Sequence, residues 1–384
     1  MNTVAALVVS LLLVWSLLPS AWPLARSFAA TTESAASLLK TKREAEGQGL
    51  LFLQHHDEIV AEAKKEGRLQ FLMSEEPRTI SALIQVFKQK YPFIDARGEE
   101  TSGSDVGQRF VLELETGQTR KWDSGLLHLE WYSRYLPLSK KFDILGMAQE
   151  GVLNIPPRMI DSNSRRFVSA SSDVTAAVYN RCALKDVRVP DYWEDFLTPD
   201  LKGRRFVADL RPAIFPSMAA GAGEQWMVDY ARRLGAQDPV WIQGSTRIIR
   251  AVASGEHLLS HGVNYGSAVP IAAKDPTGCF QVKVIEPILA RINKPYFIVD
   301  GAANPFSALL WLEFLASTPS QAILDKLGLS SGSILAPESD SERLVRGKKV
   351  WLRDWNANHQ SEKWMKMALA AFGFPRGDAS KPGK

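Results

Sequence analysis

Three hydroxyl-bearing turns are placed to hold a small polar or anionic molecule without reacting with it: Ser74-Glu75, Thr101-Ser102-Gly103-Ser104 and Gly244-Ser245-Thr246-Arg247. Each stands between a strand-like segment and a helix-like one. A helix start presents unpaired N–H groups and a partial positive charge, so it favours anions even without basic side chains. Gly103 permits close backbone approach, and the Ser and Thr hydroxyls can donate hydrogen bonds. The same residue types are ordinary helix N-caps, and each turn taken alone fits plain capping. Arg211, in Asp209-Leu210-Arg211-Pro212, can grip a carboxylate or phosphate with two parallel bonds, or pair on the surface. Asp209 reads as a residue that caps and orients this loop rather than one that touches solute.

No GxSxG, HExxH, Walker A loop or Cys–His arrangement occurs in a context that suggests catalysis. Cys182 and Cys279 lie far apart with no second Cys or His at ligand spacing, which excludes a zinc ribbon or a CxxC redox site. No catalytic residue, resident metal or cofactor is expected.

The elements that must carry these turns follow from periodicity. A helix pattern from His56 ends at Gly67, Leu69–Met73 reads as a buried strand, and Thr79–Tyr91 reads as an amphipathic helix stopped by Pro92. Phe93–Ala96 is a second strand, and a helix from Asp105 to Thr116 follows the hydroxyl-rich turn. That order begins a parallel α/β sheet. Further on, strands are predicted at Val174–Tyr179, Arg205–Asp209, Val282–Glu286 and Tyr296–Val299. Helices are predicted at Met218–Leu234, Thr246–Ala253, Pro305–Leu315 and Pro319–Leu327, and Arg343–Phe374 reads as aromatic-rich helical surface.

The 384 residues carry 46 Lys+Arg against 42 Asp+Glu, a net charge of +4, which makes no case for a nucleic-acid partner. The apolar run Val4–Leu18, broken by Pro19 and Pro23 before Ala29-Ala30, is the length of a secretory h-region and short for a span of ~20 residues. An export signal over 1–29 is expected, with an uncleaved membrane anchor as the alternative. Export permits a Cys182–Cys279 disulfide, and two buried free thiols fit the sequence equally.

The motifs in order resemble one family. Glu62-Ala63-Lys64-Lys65-Glu66-Gly67, Phe87-Lys88-Gln89-Lys90-Tyr91-Pro92 and Thr101–Ser104 look like the first lobe of an ABC-transporter solute-binding protein. Val178-Tyr179-Asn180, Val189–Phe196, Pro199-Asp200-Leu201-Lys202-Gly203-Arg204, Ser254-Gly255-Glu256 and Phe314–Gln321 resemble the rest. The likeness runs from Glu58 to Pro337, to the type II periplasmic-binding fold, in the branch of ferric-ion, thiamine, polyamine and phosphonate binders. It implies an α/β protein of two lobes, each a mixed, mostly parallel sheet flanked by helices, joined by a strand hinge. The expected partition is a mobile lead-in at 30–57, lobe one at 58–172 and 288–375, an inserted lobe two at 173–287, and a frayed tail at 376–384.

The resemblance implies a periplasmic monomer that captures a small solute between its lobes and passes it to an ABC permease. It places Ser74, Glu75 and Thr101–Ser104 in one lobe of the site, and Arg211, Ser245, Thr246, Arg247 and Tyr265 in the other. Ferric-binding members use an adjacent Tyr pair, because phenolate oxygens suit a hard trivalent ion. Here Val263-Asn264-Tyr265-Gly266 supplies a single Tyr, so an organic or phosphate-like anion is expected ahead of iron. Ferric ion on an atypical ligand set is the alternative, followed by an enzyme or a membrane-tethered sensor on the same fold.

Overall fold

The computed structural model describes residues 36–374, apart from 102–103, 118–120, 185–186 and 329–330. The expected signal and the 376–384 tail lie outside the described residues. Ten strands occur among them: β1 Arg68–Met73, β2 Asp95–Glu100, β3 Ser124–Leu126, β4 Val168–Asn180, β5 Val207–Asp209, β6 Val240–Ile242, β7 Val263–Asn264, β8 Phe280–Lys283, β9 Ile288–Ile298 and β10 Val350–Arg353.

In the first lobe β1 pairs in parallel with both β2 and β3, and β9 closes the sheet antiparallel to β3. The helix Pro77–Lys90 buries Ile80, Leu83 and Phe87, one face at helical spacing. The helix Pro305–Ala316 is buried along almost its whole length, and its Trp311 stacks on Phe71 with ring centroids 4.1 Å apart. Glu66, from the helix His56–Glu66, accepts Phe306 N at 3.0 Å and Ser307 N at 2.7 Å. One carboxylate therefore caps a helix that starts far along the chain and ties the two sequence halves of this lobe together.

The second lobe is built on the far half of β4, which pairs antiparallel with β8 and β7, while β5 and β6 run parallel beside it. Bridges through Leu259 and Ser260 link β4 to β5. Asn180 lies opposite Phe280 in the β4–β8 ladder, so Cys182 and Cys279 meet just beyond it and are joined in a disulfide, with Cα atoms 5.3 Å apart.

β4 and β9 form the connection between lobes, paired antiparallel from Val168–Tyr296 to Val174–Ala290. Both are longer than the sequence pattern suggests, because the polar middle of each hides the continuation. The small residues Ser169, Ser171 and Ser172 let other backbone come close: Ser169 Oγ donates to Asn293 O at 2.8 Å, and Ile334 N donates to Ser172 Oγ at 3.2 Å.

Three expectations change. The lead-in expected to be mobile forms a helix over 36–47, with Ala45 in the core and Thr41 Oγ donating to Glu150 at 2.6 Å. The single helix expected over Met218–Leu234 is two, Phe215–Ala222 and Glu224–Gly235, because Gly223 takes φ +93° and breaks the ladder between them.

The largest change concerns the C-terminal segment, expected to be helical surface of lobe one. It supplies β10, parallel to β9 at the hinge, and its last helix, Ser361–Ala371, packs on the second lobe. Trp351, Trp364 and Phe372 join the cluster built around Trp193, Phe196 and Tyr230. Gly221 makes this possible, since a Cβ there would lie 1.9 Å from Trp351 Cγ.

Trp364 is buried and its Nε1 donates to Glu224 at 2.7 Å. Trp364→Ala is expected to cost about 3–5 kcal/mol, read from the denaturant midpoint, and to expose the C-terminal helix to limited proteolysis. Reduction of Cys182–Cys279 should remove about 2–4 kcal/mol, measured by the same melt with and without reductant. An unchanged midpoint would show that the cross-link constrains nothing.

Candidate functional site

In an α/β sheet the carboxyl ends of parallel strands are where loops feed helix starts and ligands bind. In this chain those ends face one another across the hinge. A cavity of about 670 Å³, including its open mouth, lies at the ends of β5 and β6, lined by Thr175, Arg211, Ser245, Gly262 and Asn264. A larger one, about 1790 Å³ including its open mouth, lies at the ends of β1 and β3 and is lined by Ser74, Tyr132, Asn293, Lys294 and Arg353. Ala213 and Arg291 line both, so the two cavities meet at the hinge. The helix Phe215–Ala222 begins beside that junction, which places its positive end there.

On the second-lobe side, Asp209 organises the loops. Its Oδ1 accepts Arg211 N at 2.9 Å and Gly244 N at 3.1 Å, holding the turn after β5 to the turn after β6. Gly244 needs its φ of +96°, and a side chain there would crowd Arg211, whose Nη2 would stand 3.2 Å from a Cβ. Arg211 is exposed, with its Nε 3.8 Å from Asp209 and its outer donors open to the cleft. Behind the wall, buried His261 lies 2.9 Å from the Tyr230 hydroxyl. That hydroxyl gives its one proton to Trp193 O at 2.7 Å, so His261 Nε2 must be the donor to Tyr230. Burial pushes the imidazole down to about 3, and it stays neutral.

The hinge contains the charges. Arg291 Nε donates to Asp173 Oδ2 at 2.7 Å, a second bond runs from Arg291 Nη2 to the same oxygen, and Asn293 Nδ2 donates to Oδ1 at 2.9 Å. Burial alone would raise the Asp173 carboxyl, but the Arg291 guanidinium outweighs it and holds the group below its usual range. Lys294 Nζ pairs with buried Glu75 at 2.5 Å.

The expected site residues divide accordingly. Ser74 lines the larger cavity; Arg211 and Ser245 line the smaller. Glu75 is turned to Lys294, and Thr101 is buried, with its N–H bonded to Met73 O at 2.7 Å. Ser102 and Gly103 lie outside the described residues, and Ser104 opens the helix Ser104–Glu115. Thr246 and Arg247 are exposed on the first turn of their helix and line neither cavity. Tyr265 packs among Val174, Ile288 and Ala290, where burial and Asp340 raise its phenol, while its neighbour Asn264 lines the cavity. Asp173, Arg291, Asn293 and Arg353 escaped the sequence reading. A signal existed in Arg291-Ile292-Asn293, where polar residues two apart mark one face of a strand.

Residues 143–360, more than half of the chain, match the family described as bacterial extracellular solute-binding protein. The chain belongs to that family. No curated protein matches this solute-binding protein. Its fold is shared with Mannheimia haemolytica ferric iron-binding protein A in an open conformation, at TM-score 0.62 and 15% identity over 80% of this chain and 100% of that one. Apo FutA2 from Synechocystis gives 0.61 and 15%, over 79% and 98%. The substrate-binding protein of an ABC transporter from Agrobacterium tumefaciens gives 0.55 and 14%, over 79% and 94%. The fold is the two-lobed type II periplasmic-binding fold with a strand hinge.

Asp173→Asn removes the counter-charge of Arg291 while keeping the shape of the side chain. It should lower stability by about 1–3 kcal/mol in a chemical melt at neutral pH. Because the folded carboxyl titrates below its usual value, the wild-type advantage is present above ~pH 4 and fades as pH falls through the folded value. A difference that persists undiminished at the acid end would contradict the pairing.

Proposed function

We propose that this protein is a periplasmic receptor that closes its two lobes on a small polar or anionic solute and delivers it to an ABC permease, performing no chemistry on it. The observation that carries this reading is the meeting of the two cavities at the hinge, where Ser74 and Lys294 approach from one side and Arg211 and Ser245 from the other. A site divided between lobes couples binding to closure, since only the closed form brings both sets of donors to one solute. No helix among the described residues is long and apolar enough to cross a membrane, and the family is extracellular, in keeping with export by residues 1–29. The reading takes residues 58–172 and the stretch after 288 as one lobe and 173–287 as the other, with the helix Ser361–Ala371 docked on the second.

Ferric ion is the second reading, favoured by the fold shared with proteins named for ferric-iron binding. It requires Tyr265 to turn out of its apolar contacts.

A solute that binds only the folded protein stabilises it by about 2.7 kcal/mol at a hundred times its Kd. A thermal-shift panel of phosphate, sulfate, citrate, amino acids, spermidine, thiamine and ferric citrate should therefore give at least one upward shift. The same solute should reduce the radius of gyration in small-angle scattering and be recovered unaltered. Failure of every class to shift the melt would sink the transport reading, and a shift with ferric citrate but not citrate would select iron.

A further inference from the structure

We propose that the transported solute carries an oxyanion, a carboxylate or phosphate group, and that Arg353 together with the free edge of Arg291 clamps it at the hinge end of the larger cavity. This rests on the solute-binding reading above. Arg353 is only 4% exposed, its Nε is sealed from solvent with no hydrogen-bond partner, and no hydrogen bond or ion pair to its guanidinium occurs among the described residues. It nevertheless lines the cavity.

The register explains where its counterpart lies. Arg353 on β10 stands opposite Arg291 on β9 in a parallel pair, which puts the two side chains on the same face one strand spacing apart. Asp173 occupies the Nε and one terminal nitrogen of Arg291 and leaves the other terminal nitrogen open. The hinge cluster thus holds two guanidiniums against one carboxylate, and Lys294 is already matched by Glu75. An uncompensated buried charge costs several kcal/mol, so such groups are normally paired. Burial, with Arg291 beside it, pushes Arg353 down to about 9, which still leaves it charged at neutral pH.

Neighbouring groups fit an anion as well. Ser361 Oγ lines the same cavity, is buried and has no hydrogen-bond partner. Of the two glutamates that line this cavity, Glu130 is exposed and Glu362 accepts from Lys366 at 2.6 Å. A guanidinium pair plus a hydroxyl matches the flat, multi-acceptor edge of a carboxylate or phosphate.

Calorimetric titration at constant ionic strength with sodium phosphate, sulfate, citrate and succinate, and with spermidine and thiamine as cations, tests this on the full-length mature protein. At least one oxyanion should bind the wild type, and the phosphate and carboxylate arms identify which group is read. Arg353→Met should weaken that binding by about 30-fold or more without lowering the ligand-free melting temperature, because it deletes an unpaired charge. Arg353→Lys, which keeps the charge but loses the planar fork, should weaken it about tenfold. Unchanged oxyanion affinity in these variants overturns the clamp. So does a large fall in ligand-free stability for Arg353→Met, which would mean that a carboxylate of this chain such as Glu362 is the true partner. Binding of cations alone overturns the oxyanion class while leaving the receptor reading intact, whereas no binding by any class removes both.

Discussion

The antiparallel ladder of β4 with β9 is the constraint on which the rest depends, because the first lobe's strands continue from β9 and the second lobe's β7 and β8 continue from β4. One end of each strand is built into the first lobe and the other into the second. Their middle must therefore stay intact, be narrow enough to bend and still satisfy every backbone group without a thick core around it. Small serines on β4 and alternating polar residues on β9 meet those demands. They also bring charge into the hinge, where Asp173, Arg291 and Asn293 form a hydrogen-bonded network.

The C-terminal segment adds to this hinge. β10 adds a third strand beside β9, and the helix Ser361–Ala371 then buries Trp364 and Phe372 in the second lobe. The same segment carries Arg353 and Ser361 to the cavity.

Much of the scaffold was legible in the chain. Helical spacing of Ile80, Leu83 and Phe87, Pro305 at a helix start and Gly67 at a helix end each act through local sterics or capping, and the structure reproduces them. The loop at Asp209 was equally legible, because Asp binding backbone N–H two residues on is a local property. What was not legible was long-range. Thr246 and Arg247 are exposed on their helix and line neither cavity. Tyr265 follows the right strand, yet apolar neighbours from β4 and β9 claim its ring. Val350–Arg353 was hidden because a four-residue strand has too little pattern to announce itself, and only its partner makes it one.

The sequence by itself determined the α/β alternation and, through ordered motifs, the solute-binding family. These are properties of residues close in the chain, where spacing, caps and periodicity act directly. Tertiary structure alone decided that Cys182 meets Cys279, that the last helix belongs with the second lobe, and that Arg353 shares the hinge with Arg291 and a single Asp. The physical reason is register. Which residues stand opposite one another across paired strands depends on the summed packing of both lobes, and no local pattern in the chain encodes the burial that turns an ordinary arginine into an unpaired charge.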